Sequence, residues 1–414
     1  MLIKLPLGLI LLGCLFLSSC AVAQNSRNAS SAPEPVLTLN TEAVSIPIET
    51  SGNLVFLQVR VNGSAPLWFI LDSGAEGLLL DSRRVKELGL RLEGKSKAGG
   101  AGENSYDITF AKDVTVSLAG MELTNQTLSV TSLASIEPTL GRTVDGIIGY
   151  HLLSRFVVEI DYAARLIKLY KPQEFQYSGK GEIIPITFIG GHSVVSVRIS
   201  LPGRESLEAR CLLDTGASSE ALMTSPFVES QKLLSGSVKT IREPPAAGLG
   251  GDTTTVIGRL DSLKLGRFIL ERPIVDFARD RKGALARTDI DGIIGGEVFR
   301  RFRVIFDYSR QRIILEPNSS FPEPYEATMS GIHLWAEGSD FRRFIVHRIV
   351  ENSPASEVGL REGDQIISIN GQNATSLTLY QLKQMFGQEG KEYILGVKRG
   401  RKIQQVKIKM RRLI

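Results

Sequence analysis

The strongest constraint on the fold of this 414-residue chain is a set of short motifs that occurs twice in the same order. Asp-Ser-Gly at 72–74 and Asp-Thr-Gly at 214–216 each end an apolar run, and each is followed by alanine. Downstream of both triplets comes Asp-Gly-Ile-Ile-Gly, at 145–149 and 291–295, and then an Asp-Tyr pair before an apolar segment. Landmarks that recur in one order indicate a tandem duplication, so we predict two similar lobes.

Each triplet closes a segment with the pattern of a β-hairpin. Alternating residues at 54–61 and 193–200 are followed by a glycine turn and then by an apolar run into the aspartate. Glycine and β-branched residues are plentiful, which favours sheets and turns over long helices. We therefore predict a mainly β fold. Short helices are expected in the lobes at 82–88, 150–154, 225–234 and 297–301.

The chain begins with the pattern of an export signal. Lys4 precedes an apolar run over 5–17, which is too short to cross a bilayer. Leu-Ser-Ser-Cys at 17–20 resembles a bacterial lipobox, which would make Cys20 a lipidated N-terminus, whereas Ala-Val-Ala at 21–23 fits ordinary signal cleavage. We expect an exported protein of the bacterial cell envelope, facing the periplasm or the outside, with a lipid anchor if Cys20 is modified.

Changes in composition mark the domain boundaries. A polar Ser/Ala/Pro-rich stretch follows the signal and reads as a flexible tether, and a second Pro-rich stretch follows the repeat. The predicted segments are a signal over 1–20, a tether over 21–35, lobe 1 over 36–171, lobe 2 over 182–316, a linker over 317–326 and a third module over 327–414.

Cysteine, histidine and charge exclude several classes of function. Cys211 is the single cysteine outside the N-terminal segment, so no intramolecular disulfide framework is expected, and its apolar strand favours a buried hydrophobe over a nucleophile. The four histidines are scattered, so we predict no metal site and no cofactor. The formal net charge of +5 is small for this length and does not imply a nucleic-acid partner.

Together, the two triplets, the Ile-Ile-Gly segments at 147–149 and 293–295 and two glycine-rich segments resemble the retropepsin-type aspartic peptidases. The resemblance implies two acid-protease β-barrel lobes in tandem, with Asp72 and Asp214 as the catalytic pair. It implies supporting roles beside that pair for Ser73, Gly74, Thr215 and Gly216. It also implies two flaps over the substrate, formed by Gly99, Gly100 and Gly102 in lobe 1 and by Gly248, Leu249, Gly250 and Gly251 in lobe 2.

Two carboxylates a few ångströms apart explain why such a pair is useful. They cannot both ionise easily, so they share one proton and titrate as a unit. The ionised member takes a proton from water while the protonated member donates a hydrogen bond to the scissile carbonyl. The hydroxyls of Ser73 and Thr215 are expected to hydrogen-bond across the lobe interface and fix the two carboxylates. A lone Asp-Ser/Thr-Gly triplet is also good turn chemistry, and a retained fold does not prove activity.

The third module carries a different pattern. Residues 353–371 read S-P-A-x-x-x-G-L-x-x-G-D-x-I-x-x-I-N-G and resemble a PDZ domain, with a helix predicted over 377–386 and strands over 393–397 and 404–410. The resemblance implies that an extended peptide adds to a sheet edge beside that helix. The loop expected to hold a terminal carboxylate through its backbone amides is formed by Gly331, Ile332, His333 and Leu334.

The sequence thus predicts a single-chain, monomeric aspartic endopeptidase whose PDZ module recruits a peptide or protein substrate. The competing hypothesis is a catalytically inactive scaffold that binds peptides through the PDZ module alone.

Overall fold

The computed structural model describes residues 36–37, 43–235, 238–242 and 246–414. The predicted signal segment, the tether and Cys20 lie outside these residues. The fold is mainly β, with large sheets, as the sequence predicts. None of the helices within the described ranges is long and apolar enough to cross a membrane.

Lobe 1 contains eleven of the described strands and two short helices. They are β1 (Val36–Leu37), β2 (Ala43–Ser51), β3 (Leu54–Val61), β4 (Leu67–Leu71), β5 (Leu78–Asp81), β6 (Glu93–Ala98), β7 (Tyr106–Leu118), β8 (Met121–Thr131), α1 (Glu137–Leu140), β9 (Gly146–Ile148), α2 (Tyr150–Leu153), β10 (Val157–Asp161) and β11 (Leu166–Tyr170).

Lobe 2 repeats this order with its own β-hairpins and two helices. Its elements are β12 (Glu182–Pro185), β13 (Thr187–Ile189), β14 (His192–Ser200), β15 (Leu207–Leu213), β16 (Ala221–Met223), α3 (Ser225–Ser230), β17 (Thr240–Arg242), β18 (Ala246–Gly248), β19 (Gly251–Thr253), β20 (Thr255–Arg259), β21 (Ser262–Leu265), β22 (Phe268–Glu271), β23 (Ile274–Ala278), β24 (Gly292–Ile294), α4 (Gly296–Phe299), β25 (Phe302–Asp307) and β26 (Arg312–Pro317).

The same crossing of strands lies at the centre of each lobe. β4 runs parallel to β9, with Leu71 opposite Ile148, and β15 runs parallel to β24, with Leu213 opposite Ile294. The crossing strand is antiparallel to the next strand in both lobes, β5 in lobe 1 and β16 in lobe 2. Because all four of these residues are buried, hydrophobic burial holds both aspartate loops at fixed points.

A sheet that neither lobe could build alone joins the two lobes. Three strands of lobe 2 are followed by three strands of lobe 1 in the order β12-β26-β25-β10-β11-β2, and β10 of lobe 1 pairs antiparallel with β25 of lobe 2. Apolar residues of both lobes, including Ile160 and Val304, belong to one buried cluster. The two lobes are therefore packed together within one chain.

The third module forms its own sheet and core. Its elements are β27 (Ile332–Glu337), β28 (Arg343–Ile349), α5 (Pro354–Glu357), β29 (Gln365–Ile369), β30 (Gln372–Asn373), α6 (Leu379–Phe386), β31 (Glu392–Arg399) and β32 (Lys402–Lys409). The main strand order is β27-β28-β29-β31-β32, which leaves β27 at an edge. A separate buried cluster of apolar residues fills the space between the sheet and α6.

Two predicted helices are shorter in the structure than in the prediction. The segment 82–88 forms only a 3₁₀ turn at Ser82–Arg84, because Arg83 and Arg84 are drawn into ion pairs with acidic groups elsewhere in the lobe. The segment 225–234 is helical only over α3, since Lys232 adopts a left-handed backbone conformation (φ 49°) that a helix cannot continue.

Candidate active site

The ends of two matched strands bring the aspartates to one point. β4 ends just before Asp72 and β15 just before Asp214. The Asp72 amide donates to the Ile148 carbonyl at 2.9 Å, and the Asp214 amide donates to the Ile294 carbonyl at the same distance. The crossing strand of each lobe therefore fixes the backbone of its own aspartate.

The two carboxyl groups are buried and close enough for their charges to interact. Asp72 is 1% exposed and Asp214 is fully buried. The Gly74 amide donates to Asp72 Oδ1 and the Gly216 amide to Asp214 Oδ1, both at 2.8 Å. Burial, followed by the charge of Asp214 and the hydrogen bond to it, raises the pKa of Asp72 well above its usual range. This environment favours one proton shared by the pair.

Four reciprocal hydrogen bonds cross the lobe interface beneath the carboxyls. Ser73 Oγ donates to the Leu213 carbonyl and Thr215 Oγ1 donates to the Leu71 carbonyl, both at 2.8 Å. Each hydroxyl also accepts from the opposite backbone: Ser73 N–H donates to Thr215 Oγ1 at 3.0 Å, and Thr215 N–H donates to Ser73 Oγ at 2.9 Å. This arrangement ties the two aspartate loops directly to each other.

Each triplet requires glycine at its third position because there is no space for a side chain. A Cβ added to Gly216 would lie 2.3 Å from the Asp72 carboxyl carbon, and one added to Gly74 would lie 2.7 Å from that of Asp214. Real side chains do not tolerate such contacts. Each lobe thus leaves room for the carboxyl of the other.

The two glycine-rich segments meet over the interface, as partners of each other. The Gly102 amide donates to the Leu249 carbonyl at 3.3 Å, and the Asn104 amide donates to the Gly250 carbonyl at 2.9 Å. A Cβ on Gly100 would lie 1.9 Å from the Leu249 carbonyl oxygen, so only glycine permits this approach. The flap residues named from the sequence stand at these two tips: Gly99, Gly100 and Gly102 after β6, and Gly248, Leu249, Gly250 and Gly251 at the turn of the β18–β19 hairpin.

Other lobe 2 residues also hold the lobe 1 tip. The Ala284 amide donates to the Gly100 carbonyl at 3.2 Å, and the Arg281 amide donates to the Glu103 carboxylate. Leu249 packs into an apolar cluster of lobe 1 and is 3% exposed. The two tips are therefore held together across the lobe interface.

Two further residues brace the aspartate loops across the interface, and the sequence reasoning missed both. Asn53 Nδ2 donates to the Ser218 carbonyl at 2.9 Å, and His192 Nε2 lies 2.9 Å from the Gly74 carbonyl oxygen. Asn53 follows a glycine and directly precedes β3, and His192 follows a glycine and begins β14. Their matched places in the repeat are the signal that could have found them.

Glu76 is the extra acidic residue beside the first triplet. Its carboxylate lies 3.6 Å from His192 Nδ1, an ion pair only when the histidine is protonated. Lobe 2 has Ser218 at the corresponding position, four residues after its aspartate. The two loops are therefore chemically different just outside the matched triplets.

Cys211 and groups of possible metal ligands are the other candidates for chemistry that the sequence raises. Cys211 is a buried free cysteine, and burial raises the pKa of its thiol. No group of three or more His, Cys, Asp or Glu side chains that could hold a metal ion is found among the residues that the structure describes.

Of the residues expected to form a loop that binds a peptide carboxylate, only Gly331 precedes β27, and Ile332, His333 and Leu334 are its first three residues. Gly331, Ile332 and Leu334 are buried and His333 is partly buried. The Gly331 amide donates to Thr328 Oγ1 at 3.2 Å, and the Ile332 amide donates to Ser330 Oγ at 3.0 Å. Two of the amides assigned to a ligand therefore have partners within the chain.

Comparison with known proteins agrees with this arrangement. The aspartyl protease family matches residues 57–152 and 195–298, and the PDZ domain family matches residues 330–397. Among solved structures, an aspartic proteinase from Irpex lacteus superposes with a TM-score of 0.44 at 15% identity, covering 68% of this chain and 98% of that chain. No curated protein sequence matches the chain.

The chain therefore consists of two aspartyl protease family lobes followed by a PDZ domain. The resemblance stated from the two triplets and from residues 353–371 is confirmed.

Proposed function

We propose that this protein is an aspartic endopeptidase that hydrolyses peptide bonds in protein or peptide substrates. The observation that carries the proposal is the buried pair Asp72 and Asp214, with one carboxyl from each lobe close enough for their charges to interact. A lone structural aspartate has no need of a second carboxyl from another lobe, since burying two like charges together is costly.

The roles of the surrounding groups follow from this pair. One shared proton leaves one carboxylate to accept a proton from water and one carboxylic acid to donate to the scissile carbonyl. The amides of Gly74 and Gly216 and the hydroxyls of Ser73 and Thr215 would hold the pair in position during the attack. Closure of the flaps would exclude bulk water, which strengthens the electrostatic interactions inside the site.

Cleavage of an unfolded protein such as reduced casein tests this function. Asp72→Asn and Asp214→Asn should each lower the cleavage rate by at least about 10³-fold, because each removes one half of the proton exchange. Circular dichroism should show that both variants keep the fold. A variant that retains the full rate would exclude the pair as the catalytic centre, and no cleavage by the parent protein would favour the inactive scaffold.

The PDZ domain and the N-terminal segment extend the proposal to recruitment and location. We propose that the PDZ domain binds an extended segment of a substrate or partner protein, and that a single chain works as a monomer. We also propose that the protein is exported and anchored in the cell envelope through lipid on Cys20. Labelling cells with radioactive palmitate tests the anchor, since a Cys20→Ala protein should lose the label.

A further inference from the structure

The groove between β27 and α6 is covered by a segment of lobe 1, residues 136–142, which contains α1. β27 is an edge strand, and within the described ranges no strand pairs with its outer edge. An extended peptide that binds a PDZ domain adds to such an edge and lies beside the helix. In this structure α1 packs against β27 instead.

Three contacts place the covering segment in the groove itself. Lys383 Nζ on α6 donates to the Thr139 carbonyl at 3.0 Å. Gly141 fits so closely that a Cβ there would lie 2.8 Å from Leu379 Cβ on α6 and 3.5 Å from Ala336 Cβ on β27. The helix and the strand that form the two walls of the groove therefore both touch the covering segment.

The other end of the groove is also closed from within the chain. Thr328 and Ser330 precede β27, and their hydroxyls accept from the Gly331 and Ile332 amides. Both hydroxyl-bearing residues are buried. Their oxygens stand where the carboxylate oxygens of a bound peptide would accept.

The covering contact includes a buried lysine. Burial lowers the pKa of Lys383 to about 8, and its hydrogen bond to the Thr139 carbonyl offers no opposite charge. The covering segment is held within lobe 1 by Glu137, whose carboxylate accepts from the Val144 amide at 2.9 Å and from Arg83. Lobe 1 therefore holds the segment firmly, while its contact with α6 is the weaker of the two.

We propose that residues 136–142 of lobe 1 occupy the peptide groove of the PDZ domain in cis, so that a peptide binds only when this domain separates from lobe 1. The inference rests on the proposed peptide-binding role of the domain and names how access to that site is controlled. The bound peptide and the covering segment compete for the same walls, so binding and separation are linked.

Gly141→Asn is the variant that tests this competition from outside the PDZ domain. Asparagine tolerates the left-handed conformation of Gly141 (φ 67°), so its effect comes from the clash with Leu379. Gly63→Asn is the matched control, because Gly63 is also left-handed (φ 74°) and has nothing within 4 Å of an added Cβ. Both variants are made in full-length protein that carries Asp214→Asn, so that no peptide is cut.

The probe is an array of decapeptides of varied sequence with free C-termini, on which the labelled proteins are compared. We expect Gly141→Asn to bind with about tenfold lower Kd than the parent and the Gly63→Asn control. Amide hydrogen exchange over 332–337 should be faster in Gly141→Asn only. Equal binding by all three proteins, including no binding by any, overturns the proposal.

A second variant serves if Gly141→Asn does not fold, as judged by its melting curve. Lys383→Glu removes the hydrogen bond to the Thr139 carbonyl and places a carboxylate against that oxygen, so it should give the same changes in exchange and binding. Because every protein in this experiment is catalytically silenced, its outcome is independent of whether Asp72 and Asp214 form a peptidase site.

Discussion

The two lobes share one arrangement at the carboxyl pair and in the strands that cross behind it, and they differ in their flaps and outer segments. Each supplies an aspartate after a strand, a hydroxyl that reaches the opposite backbone at 2.8 Å and a glycine that makes room for the other carboxyl. Outside this centre, lobe 2 has a tight hairpin flap, whereas lobe 1 has an irregular tip that lobe 2 residues hold in place. Lobe 1 also bears the segment that covers the PDZ groove.

The comparison shows which features of the lobes two equivalent carboxyls require and which features can differ. A shared proton needs matched positions, so the groups that position the pair stay symmetric. By contrast, a hairpin flap is needed on only one lobe, and a contact with the PDZ domain is needed on only one lobe. After a duplication, the surroundings can therefore diverge while the centre cannot.

Among variants that keep both aspartates, the largest expected effect comes from crowding the centre. Gly216→Ala should lower the peptidase rate by about 10²-fold or more, because its Cβ would meet the Asp72 carboxyl at 2.3 Å and displace it. Gly74→Ala should cost somewhat less, since the corresponding contact with Asp214 is 2.7 Å. Gly77→Ala is the control, because nothing lies within 4 Å of a Cβ there. A rate for Gly216→Ala equal to that of the control would contradict the prediction.

Removing the hydroxyls one at a time tests the symmetry of the centre. Ser73→Ala and Thr215→Val should each lower the free energy of unfolding by about 1–3 kcal/mol, because each leaves a buried amide and a buried carbonyl of the opposite lobe without a partner. Urea denaturation measures both. The two losses should be similar, and the double variant should lose less than their sum. A loss confined to one variant would break the comparison between the lobes.

Separating the flaps should have a smaller effect on the rate. Gly100→Ala would place a Cβ 1.9 Å from the Leu249 carbonyl oxygen and force the two tips apart. We expect a loss of about tenfold in kcat/KM, because the closed site would no longer exclude water. Hydrogen exchange at Gly102 and Asn104, whose amides donate across the tips, should become faster. Unchanged exchange at both amides would show that the tips do not depend on this contact.

The smallest expected effect concerns Asp280, a lobe 2 carboxyl near Glu103 of the lobe 1 tip. Burial raises the pKa of Asp280 to about 6, the Thr254 amide opposes the shift, and the charge of Glu103 adds to it. A raised carboxyl pKa means that the stabilising contribution is complete below the unfolded value and is lost as the pH rises through about 6. Asp280→Asn should therefore flatten the dependence of Tm on pH between about pH 4 and about pH 7. An unaltered dependence would exclude Asp280 as its source.

The repeated elements were predictable because each leaves a local pattern. The residues within each triplet, each Ile-Ile-Gly strand and each glycine-rich tip are adjacent in sequence, and the order of these motifs repeats. Asn53 and His192 occupy matched places in the repeat but were missed, because an asparagine and a histidine share no obvious chemistry until both are seen to reach a carbonyl of the other lobe. The 3₁₀ turn at Ser82–Arg84 was not predicted for a similar reason, since Arg83 and Arg84 form ion pairs with acidic residues that are distant in the sequence.

The third module shows the same limit. Its sequence over 353–371 identified the domain, and the helix predicted over 377–386 matches α6, which begins two residues later. The use of the Gly331 and Ile332 amides by Thr328 and Ser330 became visible only in the folded chain. A loop pattern predicts which amides are available but not which partner takes them.

The sequence by itself determined that there are two lobes, which residues form the matched triplets and that a PDZ domain follows. These features rest on short-range patterns, which strand alternation, turns and glycine impose locally. Only the tertiary structure decided that the lobes face each other within one chain, that the flaps close on each other and that lobe 1 covers the PDZ groove. Those outcomes depend on contacts between residues far apart in the chain, whose geometry arises only when apolar surfaces are buried together.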